Sequence, residues 1–92
     1  MSNQIQQFHV AGSFNITVMI RILKSLSNNG PLKITTLAMH SRLNYSRCKK
    51  YLNLMNALNW IIFEKDGRSL KIRCTISGKR IMGQLANFMQ KD

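Results

Sequence analysis

Ninety-two residues suffice for one domain with a thin hydrophobic core, and a hydrophobic content of 45% excludes an intrinsically disordered chain. The charge is one-sided, because 14 lysines and arginines stand against 3 carboxylates and give a formal net charge of +11. No carboxylate precedes Glu64, so we expect the chain to attract polyanions, either nucleic acid or an anionic membrane surface.

The residue types give little support to catalysis or metal binding. No carboxylate pair is available for acid–base chemistry before Glu64, and no glycine-rich phosphate loop occurs, so we do not expect an enzyme. The candidate metal ligands lack the close spacing of zinc sites, and we expect no metal and no other cofactor. These ligands are His9, His40, Cys48 and Cys74.

The sequence also argues against a membrane or secreted protein. Apolar runs reach only four residues, as in Trp60 to Phe63, and the start of the chain lacks a secretory signal. Cys48 and Cys74 each lie within an apolar pattern, which indicates buried, reduced thiols. We therefore expect a cytoplasmic protein, associated with the nucleoid if its polyanion is DNA, and we identify no small-molecule substrate.

The first predicted element is a helix that follows a polar N-terminal arm, residues 1–13. A helical period of apolar residues starts at Asn15 and gives one stripe for burial. This stripe consists of Ile16, Met19, Ile20, Leu23 and Leu26. The helix should end in "SNNGP", where Asn29 or Gly30 can adopt the left-handed conformation and Pro31 cannot continue the helix.

A very short strand and a second helix are predicted next. The segment "PLKI" has room for no more than one strand bridge. The segment "TTLAMHSRL" is typical of a short helix with Thr35 or Thr36 as its N-cap. Leu37 and Ala38 should face inward, together with Leu43.

The third predicted helix, about residues 46–58, is amphipathic and has Ser46 as its expected N-cap. Its apolar arc holds Cys48, Tyr51, Leu52, Met55 and Leu58. Its opposite arc holds Ser46, Lys49, Lys50, Asn53, Asn56 and Ala57, with Arg47 and Leu54 at the flank. The cations of this helix lie toward its N-terminus, where the helix dipole disfavours positive charge and no acid is near. A bound phosphate would satisfy the dipole and the cations together, so this face indicates polyanion binding.

A hairpin and a fourth helix complete the chain. The segments "WIIFEK" and "SLKIRCT" flank the turn dipeptide "DG", which predicts a two-stranded hairpin with Arg68 at or beside its tip. Its second strand alternates apolar and basic residues: Leu70, Ile72 and Cys74 against Lys71 and Arg73. The final segment, "TISGKRIMGQLANFMQ", has a helical period; Thr75 or Ser77 can cap it, while Gly78 and Gly83 weaken it.

This order of elements predicts a mostly helical α+β fold, a winged helix-turn-helix. Its parts are a three-helix core, a two-stranded β-hairpin wing and a C-terminal helix. The segments "LNYSRCKKYLNLM" and "TISGKRI" resemble those of the small archaeal winged helix-turn-helix transcriptional regulators, cellular or viral, and the resemblance extends over about Ile16 to Met82. Two features depart from that family: Asn59-Trp60 replaces a frequent "KGL", and the short final helix argues against a long coiled-coil stem. We assign residues 14–76 to the winged domain and 77–92 to a C-terminal helix.

The resemblance implies that the third helix enters the major groove of double-stranded DNA and that the wing, about residues 65–73, contacts the backbone or the minor groove. The implied recognition-helix residues are Tyr45, Ser46, Arg47, Lys49, Lys50 and Asn53, and the implied wing residues are Arg68, Lys71 and Arg73. By their chemistry, Arg47 and Lys49 suit guanine and Asn53 suits adenine. Lys50 and the wing residues Lys71 and Arg73 suit phosphate.

Oligomeric state and specificity stay open at this level. The fourth helix offers an apolar stripe for a homodimer: Ile81, Leu85, Phe88 and Met89. Ile5 and Phe8 near the N-terminus are further candidates for that interface. The same stripe could instead close the core of a monomer against the first helix. A DNA-binding transcriptional regulator is the leading hypothesis; the alternatives are an architectural DNA-binding protein without sequence preference and a winged-helix module for RNA or protein.

Overall fold

The computed structural model describes residues 14–89, without the side chains of Ala86, Phe88 and Met89. Its elements, in chain order, are α1 (Ile16–Asn29), β1 (Leu32–Lys33), α2 (Ile34–Ser41), α3 (Tyr45–Ala57), β2 (Ile61–Asp66), β3 (Ser69–Cys74) and α4 (Ile76–Met89). The three strands form one antiparallel sheet in the order β1-β3-β2. The predicted winged helix-turn-helix fold is confirmed. Strands β2 and β3 form the two-stranded wing, and the short strand expected at "PLKI" pairs with β3 as the third strand of the sheet.

Helix α1 begins and ends largely as its sequence predicts. The side-chain oxygen of its N-cap, Asn15, accepts a hydrogen bond from the Thr17 N–H at 2.7 Å. Gly30 ends the helix with a φ of 78°, so the left-handed region is used by the glycine of the two candidates. The buried stripe is confirmed and gains Ile22, but Ile16 is 43% exposed because it lies at the open first turn.

Helix α2 begins earlier than predicted, and neither Thr35 nor Thr36 is its N-cap. The helix starts at Ile34, directly after β1, and Lys33 occupies the N-cap position without a side-chain hydrogen bond. Lys33 pairs with Lys71 of β3, which holds the residue before the helix in an extended conformation. Strand pairing therefore sets the start of α2, and β1 makes two residue pairs with β3 where at most one bridge was expected.

Helix α3 spans Tyr45–Ala57, one residue ahead of the predicted 46–58, because Asn44 and not Ser46 is its N-cap. The Asn44 Oδ1 atom accepts a hydrogen bond from the Arg47 N–H at 2.7 Å. Asparagine caps as well as serine does, and Asn44, two residues before the expected Ser46, starts the helix. Leu58 lies past the last turn and is 43% exposed, contrary to its expected burial.

The hairpin turns through Gly67 and Arg68, since Asp66 and Ser69 form its last pair. Gly67 has a φ of 65°, a conformation that glycine adopts without strain. Arg68 is at the tip, as predicted. The inner face of the sheet buries Ile61, Ile72 and Cys74 in the core, whereas Leu70 extends beyond the core and is 41% exposed.

Thr75 links the start of helix α4 by hydrogen bonds to the connection that follows α3. The Thr75 hydroxyl donates to the Asn59 carbonyl at 2.7 Å and accepts from the Gly78 N–H at 2.9 Å, so Thr75 and not Ser77 caps this helix. Asn59, which follows α3, has a φ of 69°, in the left-handed region. No helix within residues 14–89 is long and apolar enough to cross a membrane.

Candidate nucleic-acid interface

The outward face of α3 is basic and open to solvent. The predicted recognition-helix residues are all exposed: Tyr45, Ser46, Arg47, Lys49, Lys50 and Asn53. The inward face is almost completely buried, with exposures of 0–1% at Cys48, Tyr51, Leu52 and Met55. The amphipathic division predicted for this helix is therefore confirmed for every residue except Leu58.

The charge on this face is not neutralised by the protein's own acids. Neither of the ion pairs found in residues 14–89 includes Arg47, Lys49 or Lys50, and the first turn of α3 holds no acidic residue. The N-cap Asn44 satisfies one of the free N–H groups at this helix end. The remaining N–H groups and the cations together create a positive potential suited to phosphate.

Arg47 does not project freely, because it packs on a buried aromatic ring of the same helix. Its guanidinium carbon lies 5.7 Å from the centroid of the Tyr51 ring. The edge of Phe14 meets that ring at 88°, with the two centroids 5.1 Å apart. The Tyr51 hydroxyl accepts a hydrogen bond from the Asn15 N–H at 2.7 Å. Sequence reasoning missed this cluster, because 36 positions separate Asn15 from Tyr51.

A concavity of about 580 Å³ lies beside this cluster, at the N-terminal end of α3. It is lined by Phe14, Asn44, Tyr45, Ser46, Arg47, Lys50 and Tyr51. Four of the predicted recognition-helix residues thus share one recess with Phe14, which precedes α1. No pattern in the sequence indicates this recess.

In the wing, two of the three predicted cations have carboxylate partners. Lys71 Nζ lies 3.1 Å from Asp66 Oδ2, and Arg73 donates to Glu64. The hydrogen bond and the charge of Glu64 raise the pKa of Arg73 above its ordinary value. These pairs lie on the outer face of the sheet, where part of the wing's positive charge is compensated.

Two other wing cations carry no such compensation within the described part of the chain. Arg68 is exposed at the turn, and Lys65 is exposed opposite Leu70 on the other face of the hairpin. Sequence reasoning did not select Lys65. The signal was available, because strand alternation places Lys65 on the face opposite that of Glu64 and Asp66.

The predicted dimerisation stripe is only partly visible. Ile81 is partly buried against the protein's own core, and Leu85 is half-buried. The side chains of Phe88 and Met89 lie outside the described residues, as do Ile5 and Phe8. The packing of Ile81 agrees with the alternative in which the stripe closes the core of a monomer. It gives no information on the rest of the stripe.

The cysteines and the described histidine form no reactive site. Cys48 and Cys74 are free and buried, and burial raises the pKa of the Cys48 thiol to about 11 and that of Cys74 above its usual value. His40 is exposed, with its Nδ1 atom 3.0 Å from the Ser25 hydroxyl. Within residues 14–89, no group of three or more potential ligands is placed to hold a metal ion.

The three-helix core, the wing and the exposed α3 define a winged helix-turn-helix protein. The sequence profile of the family described as winged helix-turn-helix matches residues 14–92, and the chain belongs to this family. No curated protein matches the chain.

Several solved structures are similar to the chain. The MarR family transcriptional regulator SPO1453 from Silicibacter pomeroyi DSS-3 is 25% identical with a TM-score of 0.70, over 97% of this chain and 64% of that one. Sso10a-2, a DNA-binding protein from Sulfolobus solfataricus, is 20% identical with a TM-score of 0.73, over 84% and 79%. The transcriptional regulator BldR from Sulfolobus solfataricus is 20% identical with a TM-score of 0.67, over 83% and 61%. The chain thus spans less than two thirds of the regulator SPO1453, and the two Sulfolobus likenesses show the fold alone.

Proposed function

We propose that the protein is a transcriptional regulator that binds double-stranded DNA with α3 in the major groove. One observation carries this proposal: the outward face of α3 is exposed, basic and without an acidic partner in the described residues. A helix of about 10–12 Å diameter matches the major groove of B-DNA, which is about 12 Å wide. Two of the similar structures, the DNA-binding protein Sso10a-2 and the transcriptional regulator BldR, are from Sulfolobus solfataricus and support the assignment to archaeal-type regulators.

The side chains of α3 divide into base-reading and phosphate-binding groups. Arg47 and Lys49 can donate to guanine O6 and N7, and Asn53 can pair with adenine N6 and N7. Lys50 is the candidate for a phosphate contact. Tyr45 and Ser46 are exposed at the same end of the helix, where the side chains of a recognition helix meet the bases or the adjoining backbone.

In the wing, we propose Arg68 and Lys65 as the principal backbone contacts. Both are exposed and lie outside the wing's ion pairs. Lys71 and Arg73 contribute less than sequence reasoning assigned to them, because a phosphate approaching either one meets the carboxylate of Asp66 or Glu64 as well.

We also propose a homodimer in which α4 supplies the contact. Leu85 is half-buried, and Phe88 and Met89 continue the apolar stripe of the sequence. A symmetric dimer would read two half-sites about one helical turn of DNA apart. A monomer by light scattering at micromolar concentration contradicts this part of the proposal and leaves the DNA interface in place.

Selection of bound sequences from random duplexes tests the proposed function. A regulator should bind its selected duplex roughly 10³–10⁷-fold more tightly than unrelated DNA at the same salt concentration. Arg47→Gln or Asn53→Ala should then each relax the preference at one or two base pairs, at a cost of about 1–3 kcal/mol. Unchanged base preferences in both variants would show that α3 does not read the sequence.

Architectural binding without sequence preference is the second candidate, and the net charge of +11 favours it. It predicts a selection that enriches no sequence while affinity still falls steeply with salt. Duplex DNA, single-stranded DNA and RNA should be compared at one salt concentration. Equal affinity for all three would favour an electrostatic coat or an RNA-binding module over a sequence-specific regulator.

A further inference from the structure

We propose that Tyr51 is a positioning residue for Arg47, and that the segment opening α1 holds Tyr51 in place. The specificity of α3 would then depend on Phe14 and Asn15, which lie outside the recognition helix. This inference rests on the proposed function, because it concerns how one base-reading side chain is oriented.

The first step is the contact between Arg47 and Tyr51. The two residues are four apart on α3, so they lie on the same side of the helix one turn from each other. The guanidinium carbon stands 5.7 Å from the ring centroid, within the range of a cation–π interaction. Arg47 is exposed and Tyr51 is 1% exposed, so a solvent-exposed charged group rests on a buried ring.

The second step is what immobilises the tyrosine ring. Phe14 packs edge-to-face on it, a geometry that aromatic pairs prefer. The Tyr51 hydroxyl accepts a 2.7 Å hydrogen bond from the Asn15 N–H, a backbone donor that precedes the first turn of α1 and has no partner inside the helix. Packing and hydrogen bonding therefore fix the ring from the side of α1.

The third step concerns pre-organisation. Of the three cations in the N-terminal half of α3, Arg47 has an aromatic support among the described contacts, and Lys49 and Lys50 have none. An arginine already held in one orientation loses less conformational entropy when its planar fork meets guanine. Phe14, Tyr51 and Arg47 also line the same concavity, so this support lies directly beside the proposed interface.

The test uses the full chain and its selected duplex. The Arg47→Gln variant first identifies the base pair that Arg47 reads, because the preference at that base pair is relaxed. The specificity ratio is then defined as the affinity for the selected duplex divided by the affinity for a duplex changed at this base pair. Tyr51→Leu should lower the ratio by roughly two- to fivefold, the range of an exposed cation–π contact. The salt dependence of binding should stay unchanged, since no phosphate contact is removed. Tyr51→Phe keeps the ring and should retain most of the ratio.

Non-additivity separates positioning from general loosening of the fold. In the Arg47→Gln background, Tyr51→Leu should lower the ratio no further, because the side chain it positions is already gone. The control is Leu26→Val, a buried change at the other end of α1 that should reduce stability and leave the ratio unchanged. Thermal unfolding of each variant establishes that it is folded.

Two results would overturn the inference. One is a folded Tyr51→Leu protein with an unchanged ratio, and the other is an equal fall in the presence and absence of Arg47. Should Tyr51→Leu fail to fold, Phe14→Leu decides the matter: a fall in the ratio supports positioning, and an unchanged ratio rejects it. If Arg47→Gln leaves the base preferences unchanged, the proposed role of Arg47 itself is refuted. That outcome is distinguishable from a failure of the positioning role of Tyr51, which leaves the effect of Arg47→Gln in place.

Discussion

At the scale of one residue, Ser46 is a position where the stability of α3 and its proposed binding to DNA should oppose each other. It is exposed in the first turn, where the helix dipole and the free N–H groups favour an acidic side chain. Lys50 lies four residues further on, the spacing at which a preceding acid pairs best with a lysine. The sequence places no acid in this turn, although an acid there would stabilise the helix.

Ser46→Glu should therefore stabilise the free protein while it weakens DNA binding. We expect a gain of about 0.3–1 kcal/mol in the free energy of unfolding, measured by urea denaturation. Affinity for duplex DNA should fall at least tenfold, because the new carboxylate faces phosphate. Ser46→Gln is the matched neutral control and should change both quantities little. A gain in stability with full DNA affinity would mean that the first turn of α3 lies outside the interface.

Single residues also mark what the sequence could reveal about the site. A helical period of about 100° per residue was enough to assign the exposed and buried faces of α3, because that assignment depends only on local geometry. The contact of Phe14 and Asn15 with Tyr51 depends on how α1 and α3 are placed in space. No local pattern in the sequence carries that information.

At the scale of the element, Gly78 and Gly83 of α4 have opposite roles although the sequence treats them alike. A Cβ atom at Gly78 would overlap the Trp60 carbonyl oxygen and lie 2.9 Å from Cys74 Sγ, whereas one at Gly83 meets nothing within 4 Å. Gly78 thus permits close packing of α4 against the connection between α3 and β2 and against the end of β3. Gly83 only weakens the helix.

Alanine at each glycine should separate the two roles. Gly83→Ala should raise the free energy of unfolding by about 0.5–1 kcal/mol through helix propensity. Gly78→Ala should lower it by about 1–3 kcal/mol, because overlap with backbone outweighs the propensity gain. Urea denaturation of both variants provides the comparison, and each is the control for the other. Equal stabilisation by both substitutions would contradict the packing described for α4.

In the wing, the local sequence pattern and the observed strand register differ in which cations they place beside the acids of β2. A loop centred on Asp66 and Gly67 would place Ser69 opposite Glu64. The actual loop, Gly67-Arg68, places Lys71 opposite Glu64 and brings each acid of β2 beside a cation of β3. Alternation correctly predicted which residues share a face, but register decides which of them neutralise each other.

Two double substitutions test this distribution of charge. Lys65→Ala with Arg68→Ala should lower the slope of log affinity against log salt by just under 2, since each phosphate contact contributes about 0.9. Asp66→Ala with Lys71→Ala removes an ion pair at no net charge and should leave the slope nearly unchanged. If the second double variant lowers the salt slope more than the first, the wing contacts DNA through the outer face of the sheet.

Element boundaries were the part of the fold that local signals predicted least well. The start of α2 follows from the pairing of Lys33 with Lys71, a contact between residues far apart in the chain. The start of α3 depends on which of two good capping residues, Asn44 or Ser46, comes first. The order of the helices and the hairpin was predictable, because it needs only the change of hydrophobic period from helix to strand.

At the scale of the whole molecule, the acids of the described residues are concentrated in one place. Both carboxylates of the described residues, Glu64 and Asp66, are in β2 and are engaged by the cations of β3. The other exposed surfaces of the described chain carry cations without side-chain acids. The net charge of +11 therefore attracts any polyanion. An experiment must separate this general electrostatic attraction from binding by the outward face of α3.

The most direct measurement compares two variants that lose the same charge from different faces. Lys49→Ala with Lys50→Ala removes two positive charges from α3, and Lys24→Ala with Arg80→Ala removes two from exposed positions on α1 and α4. Duplex affinity is measured for both against salt concentration. If α3 lies in the groove, the first variant loses most of the affinity, with a salt slope lower by about 0.9 for the lost Lys50 phosphate contact, and the second stays close to wild type. Equal losses from both variants would show that the overall field binds DNA and that α3 is not the binding face.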